Sequence, residues 1–263
     1  MKYIIDNDLH IHSGLSICSS DPEQSNERIL QYAKDNNLKN ICLTNHFWDE
    51  NVPGASPWYA QQDFAHISRA LPLPQADGIN FMFGCETELD SNMTLALSKE
   101  HVDKFDFIVI PITHFHMVGL TISTEISTPE QKAEYWLKRF YAVLNMDLPF
   151  EKVGMAHLTC GLIDNVRENV LKTINLLSDS DLEKVFGKAA EKRIGIELNA
   201  KDMSFSDEEK DTILRPYKIA KREGCKFYFG SDAHHPASFD SSKATFERAA
   251  KLLELTENDK FVL

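Results

Sequence analysis

Seven short apolar runs recur along this chain, each followed by a longer amphipathic stretch, and that alternation limits the fold more than any other feature. The runs are KYIIDNDLHIH, KNICLTNH, NFMFGCETEL, FDFIVIPITH, KVGMAHL, RIGIELNA and KFYFGSDAH. Most carry little polar content in their middles, as expected of parallel strands covered on both faces. Helix punctuation marks the stretches between them. Asp21 before Pro22 predicts the N-cap of a helix over 22–37, and Thr128-Pro129-Glu130 opens another over 128–146. A third, over 206–224, begins with acids, ends with bases and stops at Gly224, with a kink or split expected at Pro216. Residues 240–255 read as a closing helix, and 162–192 as helical without clean bounds. Strand then helix, seven times over, predicts a parallel α/β protein. With 263 residues and 43% hydrophobic composition, the chain is expected to form one large domain over 1–263.

The polar residues gather at the ends of those runs. In order they are His10 and His12, Asn45 and His46, Glu86 and Glu88, His114 and His116, His157, Glu197 and Asn199, and Asp232 and His234. Of ten histidines, only His66 and His101 lie away from these ends. On a strand, residues two apart face one side, so His10 and His12 point together. In a parallel barrel all strand C-termini emerge on one face, where active sites are assembled. Buried imidazoles and carboxylates are costly without partners, and divalent zinc, manganese or iron satisfies such a set. The aromatic, Gly- and Pro-bearing stretch 47–63 follows the second strand. It reads either as a cover over the site or as a surface insertion.

Charge and cysteines narrow the function. A formal net charge of −12 leaves no basic footprint for nucleic acid and no polybasic patch for anionic lipid. No apolar stretch approaches a membrane span. Five scattered cysteines without a C-x-x-C pair predict reduced thiols and a cytoplasmic location.

The motifs D-x-H-x-H, T-N-H, G-C-E, a strand-end histidine, A-H, E-L-N and G-S-D-A-H follow one another from Asp8 to His234. In this order they resemble the polymerase-and-histidinol-phosphatase (PHP) superfamily of phosphoesterases. The resemblance implies a distorted seven-stranded (β/α)7 TIM-like barrel with the metal site at the strand C-terminal ends. It implies two or three divalent ions: one on His10, His12 and Asp232, a second on His114 and His157 with Glu86 bridging, and a third served by His46 and His234. Glu197 and Asn199 match the family's E-x-N motif as supporting residues, and Asp8 suits orienting a ligand histidine through its ring N–H. Two positions depart from the pattern. Asn45 stands where T-D-H is usual. Cys18 occupies a position that often holds a ligand of the third ion; a thiolate can bind zinc there, but the residue reads rather as a small packed core residue, with Asp21 as a substitute ligand.

The implied reaction is hydrolysis of a small phosphate monoester, as in histidinol phosphatases, by metal-activated water. His46, His234 and Asp232 are its catalytic candidates, with His46 or His234 protonating the leaving oxygen where a third ion is absent. Glu88 and His116 are further pocket candidates. His235 reads as a flanking residue. Lys201 and Arg167 are available to grip phosphate but read as exposed charge. Two other readings stand beside this one. A metal-dependent amidohydrolase also begins with H-x-H, but generally has eight strands and often a bridging lysine. A non-catalytic metal-binding regulatory module is the other.

Overall fold

A computed structural model describes residues 1–263. In chain order the elements are β1 (Asn7–Ile11), α1 (Asn26–Asn36), β2 (Asn40–Leu43), β3 (His46–Phe47), α2 (Phe64–Ile67), β4 (Asn80–Phe83), β5 (Cys85–Thr87), α3 (Lys99–Val102) and β6 (Ile108–Pro111). Then come α4 (Pro129–Leu144), β7 (Val153–Ala156), α5 (Arg167–Leu176), α6 (Asp179–Lys192), β8 (Gly195–Asn199), α7 (Lys210–Arg222), β9 (Lys226–Gly230) and α8 (Phe239–Leu252).

All strand pairs are parallel and fall into two sheets, β1-β2-β4 and β3-β5-β6-β7-β8-β9. Nine strands in two sheets therefore replace the expected seven. The reason is local. Thr44 and Asn45 interrupt the second apolar run, and Gly84 interrupts the third. At these breaks the chain changes partners: Gly84 N–H donates to Leu43 O, whereas Cys85 N–H donates to Phe107 O and Glu86 N–H to Asn45 O. A side chain at Gly84 would collide with the Phe107 carbonyl, so a glycine is needed there. The end of β1 also lies beside the segment after β9. Asp232 N–H donates to His10 O (2.8 Å) and His12 N–H to Ala233 O (3.1 Å).

The helices follow their punctuation with two corrections. α4 starts as expected, with Thr128 and Gln131 forming a reciprocal capping box and Pro129 at the first helical position. α1 is capped by Ser25, which accepts from Arg28 N–H, and not by Asp21. Residues 21–24 form a separate turn, because Gln24 Nε2 is drawn inward to His12 O and Ala233 O. α7 runs unbroken through Pro216.

The largest apolar cluster joins the outward strand side chains to the helices. A smaller one contains Leu9, Met82, Val109, Ala156 and Tyr228, contributed by different strands. Arg139 of α4 is fully buried (0% exposed). Its guanidinium donates to the carbonyls of Ile112, Leu89 and Thr121 (2.8 Å each), and more distantly to those of Pro111 and Asp90. This clamp pins the segments that follow β5 and β6, which carry Glu88 and His114.

Candidate metal centre

Glu86, on β5, stands among five imidazoles. Its Oε2 lies 3.5 Å from His10 Nε2, 3.4 Å from His12 Nε2 and 2.8 Å from His46 Nδ1. Its Oε1 lies 3.5 Å from His157 Nε2 and 3.9 Å from His114 Nε2. Asp232 adds a second carboxylate, with Oδ1 3.3 Å from His12 Nε2 and from His234 Nδ1 and 3.7 Å from His10 Nε2. Its Oδ2 is 2.9 Å from Lys201 Nζ and 3.8 Å from His157 Nε2. His234 stacks on His12 with ring centroids 4.0 Å apart, and its Nε2 is 3.5 Å from that of His46. All eight residues expected to hold metal thus converge, although they come from six strand ends.

The local chain explains how they meet. The β1 register shifts between Asp8 and Ile11, and His10 and His12 bring their Nε2 atoms to 3.1 Å. His157 and Asp232 adopt left-handed backbone, φ 59° and 51°, at a cost of about 1–2 kcal/mol each for a residue with Cβ. Partners behind the rings set their orientation. Glu197 Oε1 holds His10 Nδ1 at 2.6 Å, while its Oε2 accepts His157 N–H. Gly230 leaves the space for Glu197 to do so, since a Cβ there would strike its carboxylate. Glu88 Oε1 holds His114 Nδ1 at 2.6 Å and accepts the Tyr59 hydroxyl at 2.8 Å. Ser16 Oγ accepts from His12 Nδ1 (2.9 Å) and from His46 N–H, and donates to Asn45 Oδ1. Fixing Nδ1 in this way directs Nε2 of His10, His12 and His114 toward the centre.

These residues fit divalent ions. Both Glu86 oxygens, His46 Nδ1 and His157 Nδ1 are buried without an aligned hydrogen bond, the 2.8 Å contact of Glu86 Oε2 with His46 Nδ1 included. Ligand atoms within 4.8 Å of one another group as His10–His12–Glu86, Glu86–His114–His157 and His12–His46–His234. The electrostatics point the same way. Burial lowers the His10 pKa, but Glu197 and Glu86 outweigh it and raise it to about 10. Glu86 and the neighbouring Cys18 likewise overcome burial and raise His46 to about 10. Burial works to raise Glu86 and Asp232, yet His46 and His10 around the first, and Lys201 and His12 around the second, hold both carboxylates well below their usual range. The carboxylates stay ionised beside the positive charge of these neighbours, charge that a divalent ion would supply on displacing the imidazole protons. Burial and adjacent imidazoles keep His12 and His234 low, the latter at about 2, so both are neutral and suited to ligation.

Other expected residues land differently. Asp8 does not touch an imidazole; it accepts from Ser231 N–H (2.9 Å), the Tyr32 hydroxyl (3.0 Å) and His10 N–H (3.4 Å). Glu197 does the orienting instead, because its strand end faces the His10 ring. Asn45 turns to Ser13 and Ser16, away from Glu86, and Asn199 accepts from Lys201 N–H. Cys18 is no core residue: it is exposed and lines the cavity beside His46. Asp21 pairs with His235 Nε2 at 2.6 Å. Lys201 reaches the cluster, whereas Arg167 pairs with Glu209 at 2.7 Å. His66 bonds to Leu15 O and His101 to Asp49.

Four contributors escape sequence reasoning. Ser16 joins His12, four residues before it, to the backbone of His46, and Tyr59 acts on His114 through Glu88. Asp202 turns Oδ1 toward His157 Nδ1 at 4.0 Å, while its Oδ2 accepts from Thr159 N–H and the Tyr217 hydroxyl. Arg139 sits in an amphipathic helix with no motif around it. The cluster floors a cavity of about 590 Å³, walled in part by Trp58 and Tyr59 from the 47–63 stretch, which therefore covers the site.

Comparison with known proteins gives concordant matches. A family model described as the PHP domain matches residues 8–201. Two curated proteins, each called a probable phosphatase, are similar across most of the chain. The one from Caldicellulosiruptor saccharolyticus is 22% identical over 250 residues, 93% of this chain and 85% of its own. The one from Caldicellulosiruptor bescii is 21% identical over 241 residues, 90% of this chain and 82% of its own. Among solved structures, histidinol phosphate phosphatase from Lactococcus lactis, complexed with zinc, L-histidinol and phosphate, superposes with a TM-score of 0.55. It has 18% identity, with 93% of each chain covered, a likeness of fold.

Proposed function

From the premise that the chain belongs to the PHP domain family and is a metal-dependent phosphoesterase, we propose that it hydrolyses a small phosphate monoester at the Glu86 cluster. The observation that carries this reading is the Glu86 carboxylate, buried among five imidazoles without an aligned hydrogen bond, its one contact under 3 Å being His46 Nδ1. In this reading His10, His12 and Asp232 hold one divalent ion, His114 and His157 a second, and Glu86 serves both. His46 and His234 face the cavity for a third ion, and His46, which carries a proton, is placed to pass one to the leaving oxygen. The arrangement expected for such an enzyme is a closed (β/α) barrel, which the backbone bonds between the end of β1 and the segment after β9 favour.

Zinc, manganese or iron bound there supplies water that ionises near neutral pH and offsets phosphoryl charge. The chain's own part is positioning. Glu197, Glu88 and Ser16 fix the imidazoles so that little rearrangement accompanies reaction. Lys201 Nζ, held by Asp232, is the one side-chain cation besides histidine on the cavity wall and sits where a phosphate oxygen can take it as a partner. A glutamate, in place of the lysine common in amidohydrolases, sits between the two ligand groups, which favours the phosphatase reading over that rival.

The test is elemental analysis of the purified protein together with assays on phosphate monoesters, amides and cyclic imides, before and after chelation. Two or three ions per chain and monoester hydrolysis lost on chelation are expected. Under one ion per chain with undiminished hydrolysis overturns the proposal.

A further inference from the structure

The upper part of the same cavity is built unlike its floor. Apolar side chains from three separate segments dominate its wall: Trp58, then Met117, Val118 and Leu120, then Leu162, with Ser56 and His116 as the polar members of these segments. Val118 is 60% exposed and Leu162 38%, although both are large aliphatic groups at the mouth of a concave site. Exposed apolar groups gathered at one cavity usually mark where a ligand covers them.

The charges around this wall are equally informative. The acids lining the cavity are Glu86 and Asp232, both within the histidine cluster. Glu88 is occupied by His114 and Tyr59. An ammonium group on the alcohol part of a substrate therefore finds no free carboxylate beside the wall. Lys201, already paired with Asp232, offers no second basic partner for another anionic group. A charged group brought against apolar side chains without a partner loses hydration and gains nothing in return.

Resting on the phosphatase reading above, we infer that the substrate is a monoester of a neutral, apolar alcohol. Its phosphoryl group lies over the Glu86 cluster and its hydrocarbon part against Trp58, Val118 and Leu162. This sets the chain apart from an enzyme for histidinol phosphate, whose alcohol carries an amine and an imidazole.

Phenethyl phosphate, histidinol phosphate and glycerol phosphate provide the comparison, since all have alkyl leaving groups of similar reactivity. Burial of the phenyl group predicts a kcat/KM for phenethyl phosphate about 10- to 100-fold above that for glycerol phosphate. The double variant Val118→Ser/Leu162→Ser, altered only at exposed positions, is expected to shrink that ratio about tenfold or more. The same contrast is measured without turnover by titrating the metal-loaded protein with phenethylphosphonate and methylphosphonate, following Trp58 fluorescence against a Trp58→Phe control. Tighter phenethylphosphonate binding that the double variant weakens supports the apolar wall. Equal binding of the two phosphonates, or a preference for histidinol phosphate or glycerol phosphate, overturns it. Selective phenethylphosphonate binding with no hydrolysis of any monoester leaves the wall standing and removes the phosphatase reading instead.

Discussion

Arg139 and Glu86 are both ionic, both essentially sealed from solvent (0% and 1% exposed), and both meet the chain where β5 and β6 end, Glu86 on β5 itself and Arg139 through the carbonyls of Leu89 and Ile112. Their surroundings differ completely. The Arg139 guanidinium meets backbone carbonyls at the ends of three segments, whereas Glu86 makes no aligned hydrogen bond and only its Oε2 has a close neighbour, His46 Nδ1 at 2.8 Å. Burying a charge is tolerable only where its desolvation is answered. Around Arg139 the chain answers it, so that region holds the structure together. Around Glu86 the chain stops short and leaves imidazole nitrogens and carboxylate oxygens facing one another, an arrangement that an external cation completes. A buried charge left open is the better indicator of function.

The largest effect is expected at the open charge. Glu86→Ala should lower kcat/KM by at least about 10⁴-fold, the scale of losing several kcal/mol of metal-supplied transition-state stabilisation. Metal content should fall with it while the thermal midpoint of the metal-free protein holds or rises. Retained metal and turnover would reduce Glu86 to an ordinary unsatisfied residue and end the contrast. At the closed charge the pattern should invert. Arg139→Met orphans several buried carbonyls and should destabilise the fold by about 3 kcal/mol. Denaturant unfolding measures this, and metal stoichiometry in the cold should remain that of the parent.

Between these extremes lies Glu88, which touches His114 and Tyr59 but not the centre. Glu88→Ala should cost about 10- to 100-fold in activity or metal affinity, and Tyr59→Phe less. A Glu88→Ala loss exceeding that of Glu86→Ala would exchange their assigned roles.

The smallest effect belongs to Arg167 and Glu209. Arg167 hydrogen bonds hold the Glu209 pKa at about 2, below the roughly 4.3 of an unfolded glutamate. A depressed carboxylate stabilises the fold above its unfolded pKa, and that contribution fades as pH falls from about 4.3 toward 2. Because the Arg167 side chain is 41% exposed, the pair should contribute under about 1 kcal/mol. Unfolding of Arg167→Ala against the parent should differ by that little at pH 7, and by less as the solution is acidified. A large loss of kcat/KM in the same variant would bring Arg167 back as a phosphate-gripping residue.

Local pattern alone determined much of this protein. Apolar runs of strand length, capping residues such as Thr128 and acid-to-base order along 206–224 act within a few residues of themselves, so periodicity reveals them. That the polar residues close the strands was equally legible, because parallel strands send their ends the same way. Whatever depends on distance between remote segments was not. The breaks at Thr44–Asn45 and Gly84 became visible only as changes of hydrogen-bond partner between neighbouring strands. The exchange of roles between Asp8 and Glu197 depends on the shifted β1 register and on the space beside Gly230. Cys18 reads as a core residue by type, yet it lies on the cavity wall because the loop after His12 turns outward there. Arg139 has no motif at all, since its partners are carbonyls and every residue has one. A sequence specifies which side chains can do chemistry; only the folded chain decides which buried charges are answered from within and which are left for something else to complete.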